Sequence, residues 1–169
     1  MLQSMKELSG QIAVNSAHDI VLFKTEAEGE LTVLPSDRVT SIHFYDMDKN
    51  INRKFISIQD KTVAPANYRL YEVVIQGDVS VLRRPEFDDP RDEVTSFDYF
   101  VRLREKEVVS LNLFRSKVYN ELVRLSENRV SEYVSNNRLN PARAADVIRI
   151  IEFFNRQDYT FKHQVAKSN

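Results

Sequence analysis

The sequence predicts an α+β fold, an antiparallel, barrel-like or strongly curled β-sheet followed by a C-terminal helical pair. Up to about residue 111, short alternations of apolar and polar residues recur between turn signals. From residue 112 to about Asn155 the apolar residues fall at helical spacing instead. Strand-like and helix-like segments are therefore segregated along the chain, which argues against the alternating units of a parallel α/β sheet. The expected organisation is a β-rich part, residues 1–111, with a helical part, residues 112–169, packed on it as one compact domain.

The first two strands are expected at Leu8 to Val14 and Asp19 to Thr25, joined through Asn15-Ser16-Ala17-His18. Gly29 precedes a third run, Glu30 to Leu34, which Pro35 ends. Arg38 to Asp46 alternates with Thr40, Ile42 and Phe44 on one face and Val39, Ser41, His43 and Tyr45 on the other. Aromatic bulk on both faces fits a strand covered on both sides, or one face lining a barrel interior or a binding cleft. Asp46 to Arg53 reads as a polar loop and Lys54 to Gln59 as a short strand. Tyr68 to Ile75 and Val79 to Arg83 flank Gln76-Gly77-Asp78, and Gly between two β-branched runs is a strong hairpin signal. Pro85 to Glu93, with two prolines and five acids, is an exposed loop, and a last hairpin spans Phe97 to Arg104 and Val108 to Leu111. About eight or nine strands result, an amount that suits an antiparallel sheet curled on itself.

In the tail, Phe114, Val118, Leu122 and Leu125 step by four, four and three after Asn112, one face of an amphipathic helix. Val130, Tyr133 and Val134 extend it or form a second short helix. Asn140-Pro141 supplies the N-cap and first-turn proline of another helix, whose face is Ala144, Val147, Ile148, Ile151 and Phe154.

At 169 residues, 42% hydrophobic and 29% charged, the chain can build a core of normal size, which excludes disorder of the whole. With no Cys it has no disulfide framework, thiolate zinc site or thiol nucleophile. Met1 to Glu7 holds no apolar signal region, and no stretch approaches the roughly 18 apolar residues of a membrane span. Net charge is −1, distributed as −2, −3 and +4 over residues 1–86, 87–110 and 111–169. The Arg residues of the tail are interspersed with acids at helical spacing, the pattern of a solvated helix surface, and no nucleic-acid partner is expected.

The chemical motifs are weak. Asp46-x-Asp48-x-Asn50 imitates a calcium loop, but Ile51 and Ser57 stand where Gly and a bidentate Glu are required. Glu86, Asp88, Asp89, Asp92 and Glu93 would gather calcium only on a fixed backbone. Of the three histidines, His43 lies on a strand with Ser41 two residues away, about 7 Å and too far for a nucleophile–base bond. The three glycines are isolated and form no phosphate-binding loop. No metal and no cofactor is expected. Tyr and Arg combine apolar area with polar ends and favour interfaces, so Tyr45, Arg69, Tyr71 and Arg83 are the candidate ligand-binding residues, with Tyr99 as a further aromatic on the last hairpin.

Across residues 8–155 the order of features resembles a family of uncharacterised exported bacterial proteins. The residues that carry it are Gly10-Gln11-Ile12, Pro35 with Val39, Ile42 and Phe44, Tyr71 to Arg83 around Gly77, Tyr99-Phe100-Val101, and Phe154-Asn155. The resemblance attaches no activity; it implies a periplasmic or outer-membrane-associated protein whose signal peptide has been removed. The functional expectation is a non-catalytic envelope protein that binds a protein, peptide or glycan. Its alternative is a small hydrolase acting through carboxylates that only the fold brings together.

Overall fold

The structure, a computed structural model, describes residues 9–16, 18–25, 29–60, 67–86 and 96–157. The nine strands among them are β1 (Gln11–Asn15), β2 (Ile20–Lys24), β3 (Thr32–Pro35), β4 (Ser41–Asp46), β5 (Ile51–Asp60), β6 (Asn67–Ile75), β7 (Val79–Glu86), β8 (Ser96–Leu103) and β9 (Val108–Ser110). A π-helical turn at Arg115–Tyr119 leads into α1 (Asn120–Leu125), followed by α2 (Arg129–Asn136) and α3 (Ala144–Arg156). No described helix is long and apolar enough to cross a membrane. The acidic stretch from 87 to 93 lies outside the described residues.

The fold is α+β but neither barrel-like nor curled. It has two open antiparallel sheets, one of three strands in the order β1-β2-β3 and one of six in the order β4-β5-β6-β7-β8-β9. Two local causes stand out. Pro35, which has no N–H to donate, ends β3, and the 3₁₀ turn Ser36–Arg38 then redirects the chain, so β4 starts a new sheet. The strands β7 to β9 need no second sheet layer to bury their apolar side, because helices cover it. Val79, Val81, Val101 and Leu103 pack with Phe114, Val118, Leu122, Val147, Ile150, Ile151 and Phe154 in one buried cluster. Each such side chain contributes about 1.5–3 kcal/mol by leaving water.

Among the described residues there are three α-helices rather than a pair. The second break comes from two helix ends closed by left-handed residues. After α1, Asn128 N–H reaches the Val123 carbonyl (2.9 Å) and Glu127 N–H that of Arg124 (3.3 Å), with φ of 70° and 50° at Asn128 and Glu127. After α2, Leu139 N–H reaches Val134 (2.9 Å) and Arg138 N–H reaches Ser135 (3.1 Å), with φ of 51° at Arg138. Both are Schellman ends, a position usually given to glycine. Asn140 does not cap α3: its side chain accepts from Ala142 N–H (3.0 Å), and α3 begins at Ala144 behind Arg143.

The chain forms two compact units. The first comprises residues 1–73 and 83–98, the second residues 74–82 and 99–169. The helical cluster above is the core of the second. The first has its own, built from Val21, Ile42, Phe55 and Leu70 with Ile12, Val14, Leu34, Val39 and Phe44 against them.

Within the first unit, the β1–β2 turn is latched to β6 and β7. Asp19, at φ 53°, turns its carboxylate so that Oδ1 accepts from Leu70 N–H (2.7 Å) and from Arg84 Nη1 (2.6 Å), while Arg84 Nη2 donates to Oδ2 (3.2 Å). Arg84 also donates to the Leu70 and Ser16 carbonyls at 3.1 and 2.8 Å. Beside it the buried Ser36 donates its hydroxyl to Tyr68 O (2.6 Å) and accepts at its carbonyl from Ser57 Oγ (2.7 Å).

Candidate functional site

The first unit holds a groove of about 750 Å³ between β1 and the β4–β5 hairpin. One wall is the run Ile12 to Ser16 with His18 and Leu22, the other the run Phe44 to Lys49, and Arg53, Phe55, Pro85 and Phe97 complete it. Alternation explains the floor. Ile42 and Phe44 face inward on β4, Phe55 faces the same way on β5 opposite Ile42, and the Phe44 and Phe55 rings stack with centroids 5.9 Å apart. Ser41, His43 and Tyr45 point to the exposed face, so β4 is covered on one side and not on both. The hairpin tip leaves apolar groups in solvent: Tyr45 is 51%, Met47 84% and Ile51 43% exposed.

A four-charge network stands beside the aromatic floor. Glu72, buried on β6 opposite Phe55, accepts from Arg53 Nε and Nη2, each at 2.9 Å, and from Arg83 Nε at 2.9 Å. Arg53 Nη1 donates to Asp46 at 3.2 Å. Its guanidinium lies 5.0 Å from the Phe55 centroid, and that of Arg83 lies 4.3 Å from the Phe97 centroid, distances at which a cation is attracted to the ring face. Burial pushes the Glu72 carboxyl up, but the Arg53 and Arg83 hydrogen bonds outweigh it and the net shift is downward. Asp46 is lowered by the Lys49 backbone N–H, with Arg53 adding to it. Arg53 is raised, chiefly by its bonds to Glu72. Both carboxylates are thus held ionised and already bonded.

Of the four residues singled out from the sequence, Arg69 and Tyr71 share one face of β6, close enough for the Arg69 charge to act on the Tyr71 hydroxyl. Tyr45 lines the groove, and its hydroxyl bonds Asn50. Arg69 pairs with Asp60 at 3.2 Å, and on β6 it stands opposite Ile58. Tyr71 is 6% exposed, with the Arg84 guanidinium 5.4 Å from its ring centroid, and burial raises its pKa. Arg83 reaches Glu72, which projects on the opposite side of β6 from Tyr71. Of the residues the sequence did not flag, Phe44 and Phe55 lay in visible strand runs. Arg53 lay in the segment read as a loop, and nothing local connects it to Glu72, 19 positions away.

No family model matches the chain, and neither a curated protein nor a solved structure matches it. Among the described residues no three His, Asp or Glu side chains gather where they would hold a metal ion. What the groove offers is aromatic area, an apolar rim and a strand edge.

Proposed function

We propose that the chain is a non-catalytic binding protein whose ligand, a protein segment, peptide or glycan, lies in the groove between β1 and the β4–β5 hairpin. The observation that carries this reading is the state of Asp46 in the groove wall and of Glu72 beside the aromatic floor; the other carboxylate of the lining, Asp48, stands exposed on the hairpin tip. Glu72 is held by two guanidiniums and Asp46 by one, and both are shifted toward the charged form. A general acid needs the opposite shift and a general base needs a free lone pair aimed at substrate, so the arrangement favours recognition over hydrolysis. Aromatic rings in a concave site with a few fixed polar groups are the usual furniture of ligand pockets, and about 750 Å³ lies within their range of roughly 300–1,000 Å³. On the resemblance described above we extend the proposal to the periplasm or outer-membrane region, which fractionation of the source cells tests.

Backbone amide shifts of the labelled protein, followed during titration with pooled short peptides and pooled oligosaccharides, test the binding role. Shifts centred on residues 12–16 and 44–49, lost in Met47→Ala and Phe97→Ala variants that keep their fold, are the expected result. Hydrolysis of a chromogenic ester or glycoside that Glu72→Gln or Asp46→Asn abolishes would replace this reading with the carboxylate hydrolase.

A further inference from the structure

We propose that the occupant of the groove is an extended peptide that adds to the free edge of β1 as a fourth strand of the three-stranded sheet; this rests on the binding role proposed for the groove. The groove's own lining gives its direction. Successive residues of a strand point to opposite faces, yet every residue from Ile12 to Ser16 borders it. A cavity touching both orientations of β1 takes in its backbone edge, and at Ala13 it reaches across to Leu22 on β2. β1 is the terminal strand of its sheet, and no described strand pairs with its outer side. Alternate N–H and C=O groups of residues 12–15 therefore face the groove.

The other sheet edges carry the features that discourage strand addition. β3 ends in Pro35, β4 carries His43 and Asp46, and β9 has only three residues. β1, with the sequence Gln-Ile-Ala-Val-Asn, has no charge and no proline. Among the described residues, the edge left without such features is the one that opens on an aromatic-floored trough. An added strand would place every second side chain on the face of Ile12 and Val14, which pack with the cluster containing Phe55 and Phe44. The chemistry that fits is a peptide of five or six residues with β-branched or aromatic side chains at alternate positions. Pairing with all of β1 requires about 17 Å of extended chain. A glycan would use the aromatic floor but would have no use for a ladder of backbone groups.

The test uses the full chain and a bead-displayed library of seven-residue synthetic peptides. Each recovered peptide is remade in two N-methylated forms, at its odd and at its even residues, and binding is measured by fluorescence polarisation. Strand addition predicts that one form loses about 30-fold in affinity, having lost two or three hydrogen bonds, while the other stays within about threefold. It also predicts slowed hydrogen exchange at β1 amides on binding. Peptides that bind in the groove but tolerate both N-methylation patterns overturn strand addition and leave the binding role intact. Pooled oligosaccharides that shift groove amides when no peptide does have the same effect. If neither peptides nor oligosaccharides engage the groove, the inference and the reading beneath it both fall.

Discussion

The side-chain amide of Asn155, at the end of α3, pairs with the backbone of Val79 as a neighbouring strand would. Its Oδ1 accepts from Val79 N–H at 3.0 Å and its Nδ2 donates to Val79 C=O at 2.8 Å, across 76 positions of sequence. Gly77 lies directly against this contact: a Cβ there would sit 2.4 Å from Asn155 Cγ. Glycine is needed for clearance, since its φ is not positive.

Removing the amide leaves two backbone groups beside the fully buried Val79 without a partner, so Asn155→Ala should cost about 2 kcal/mol in urea melts. Gly77→Ala should be destabilising in the wild-type background and far less so beside Asn155→Ala. Additive effects in the double-mutant cycle would mean that the two residues do not meet.

Glu127 and Arg138 occupy left-handed positions at the Schellman ends of α1 and α2, where a side chain costs roughly 1 kcal/mol. Glu127→Gly and Arg138→Gly should each stabilise by about 0.5–1 kcal/mol, net of the extra unfolded-state freedom of glycine, and so raise the melting temperature. A fall in melting temperature for both would contradict these backbone angles.

Glu72 titrates below its ordinary value of 4.5 in the folded protein. A lowered carboxylate pKa contributes stability above the unfolded-state value, and that contribution is lost as pH falls through the folded-state value. Chemical denaturation from pH 7 down to about 2 should therefore show an acid limb that is shallower in Glu72→Gln. At pH 7 the substitution should cost about 3 kcal/mol, because two half-buried guanidiniums lose their counter-charge. Parallel acid limbs would show that this carboxylate is not held as described.

Tyr71→Ala should destabilise by about 3–5 kcal/mol as a buried aromatic truncation, whereas Tyr45→Ala should stay within about 0.5 kcal/mol. Tyr71 is 6% and Tyr45 51% exposed. Calorimetry of the two variants decides it, and comparable losses would place both rings in the core.

Much of the fold is legible in the sequence because it depends on local period. Phe114, Val118 and Leu122 are buried as their spacing implies, and the turns at Pro35 and Gly77 fall where residue type puts them. Whether a sheet closes is not local. It depends on what covers its apolar side, and only the packed structure shows Ile150, which the period count passed over, completing the helical cover. The groove was less legible still. The Arg53, Glu72 and Arg83 network unites three strands, and strand alternation in one sequence cannot say which charged residues on neighbouring strands will share a face. Gly77 gives the clearest lesson: its position marks a turn, but the reason for it stands 78 residues downstream.

The Asp19 latch carries a consequence for the order in which the first unit assembles. Its bonds span 51 positions to Leu70 and 65 to Arg84, while the β4–β5 hairpin closes over a four-residue turn. Loop-closure entropy makes the short connection cheaper to form first, and a carboxylate has little reason to leave water until Arg84 and Leu70 N–H are in place to receive it. The β1–β2 turn should therefore dock after the folding barrier has been crossed. In stopped-flow kinetics Asp19→Asn should speed unfolding and leave refolding nearly unchanged, a φ-value near zero, against a clearly higher value for Phe55→Leu. Slower refolding in Asp19→Asn would put the latch inside the nucleus.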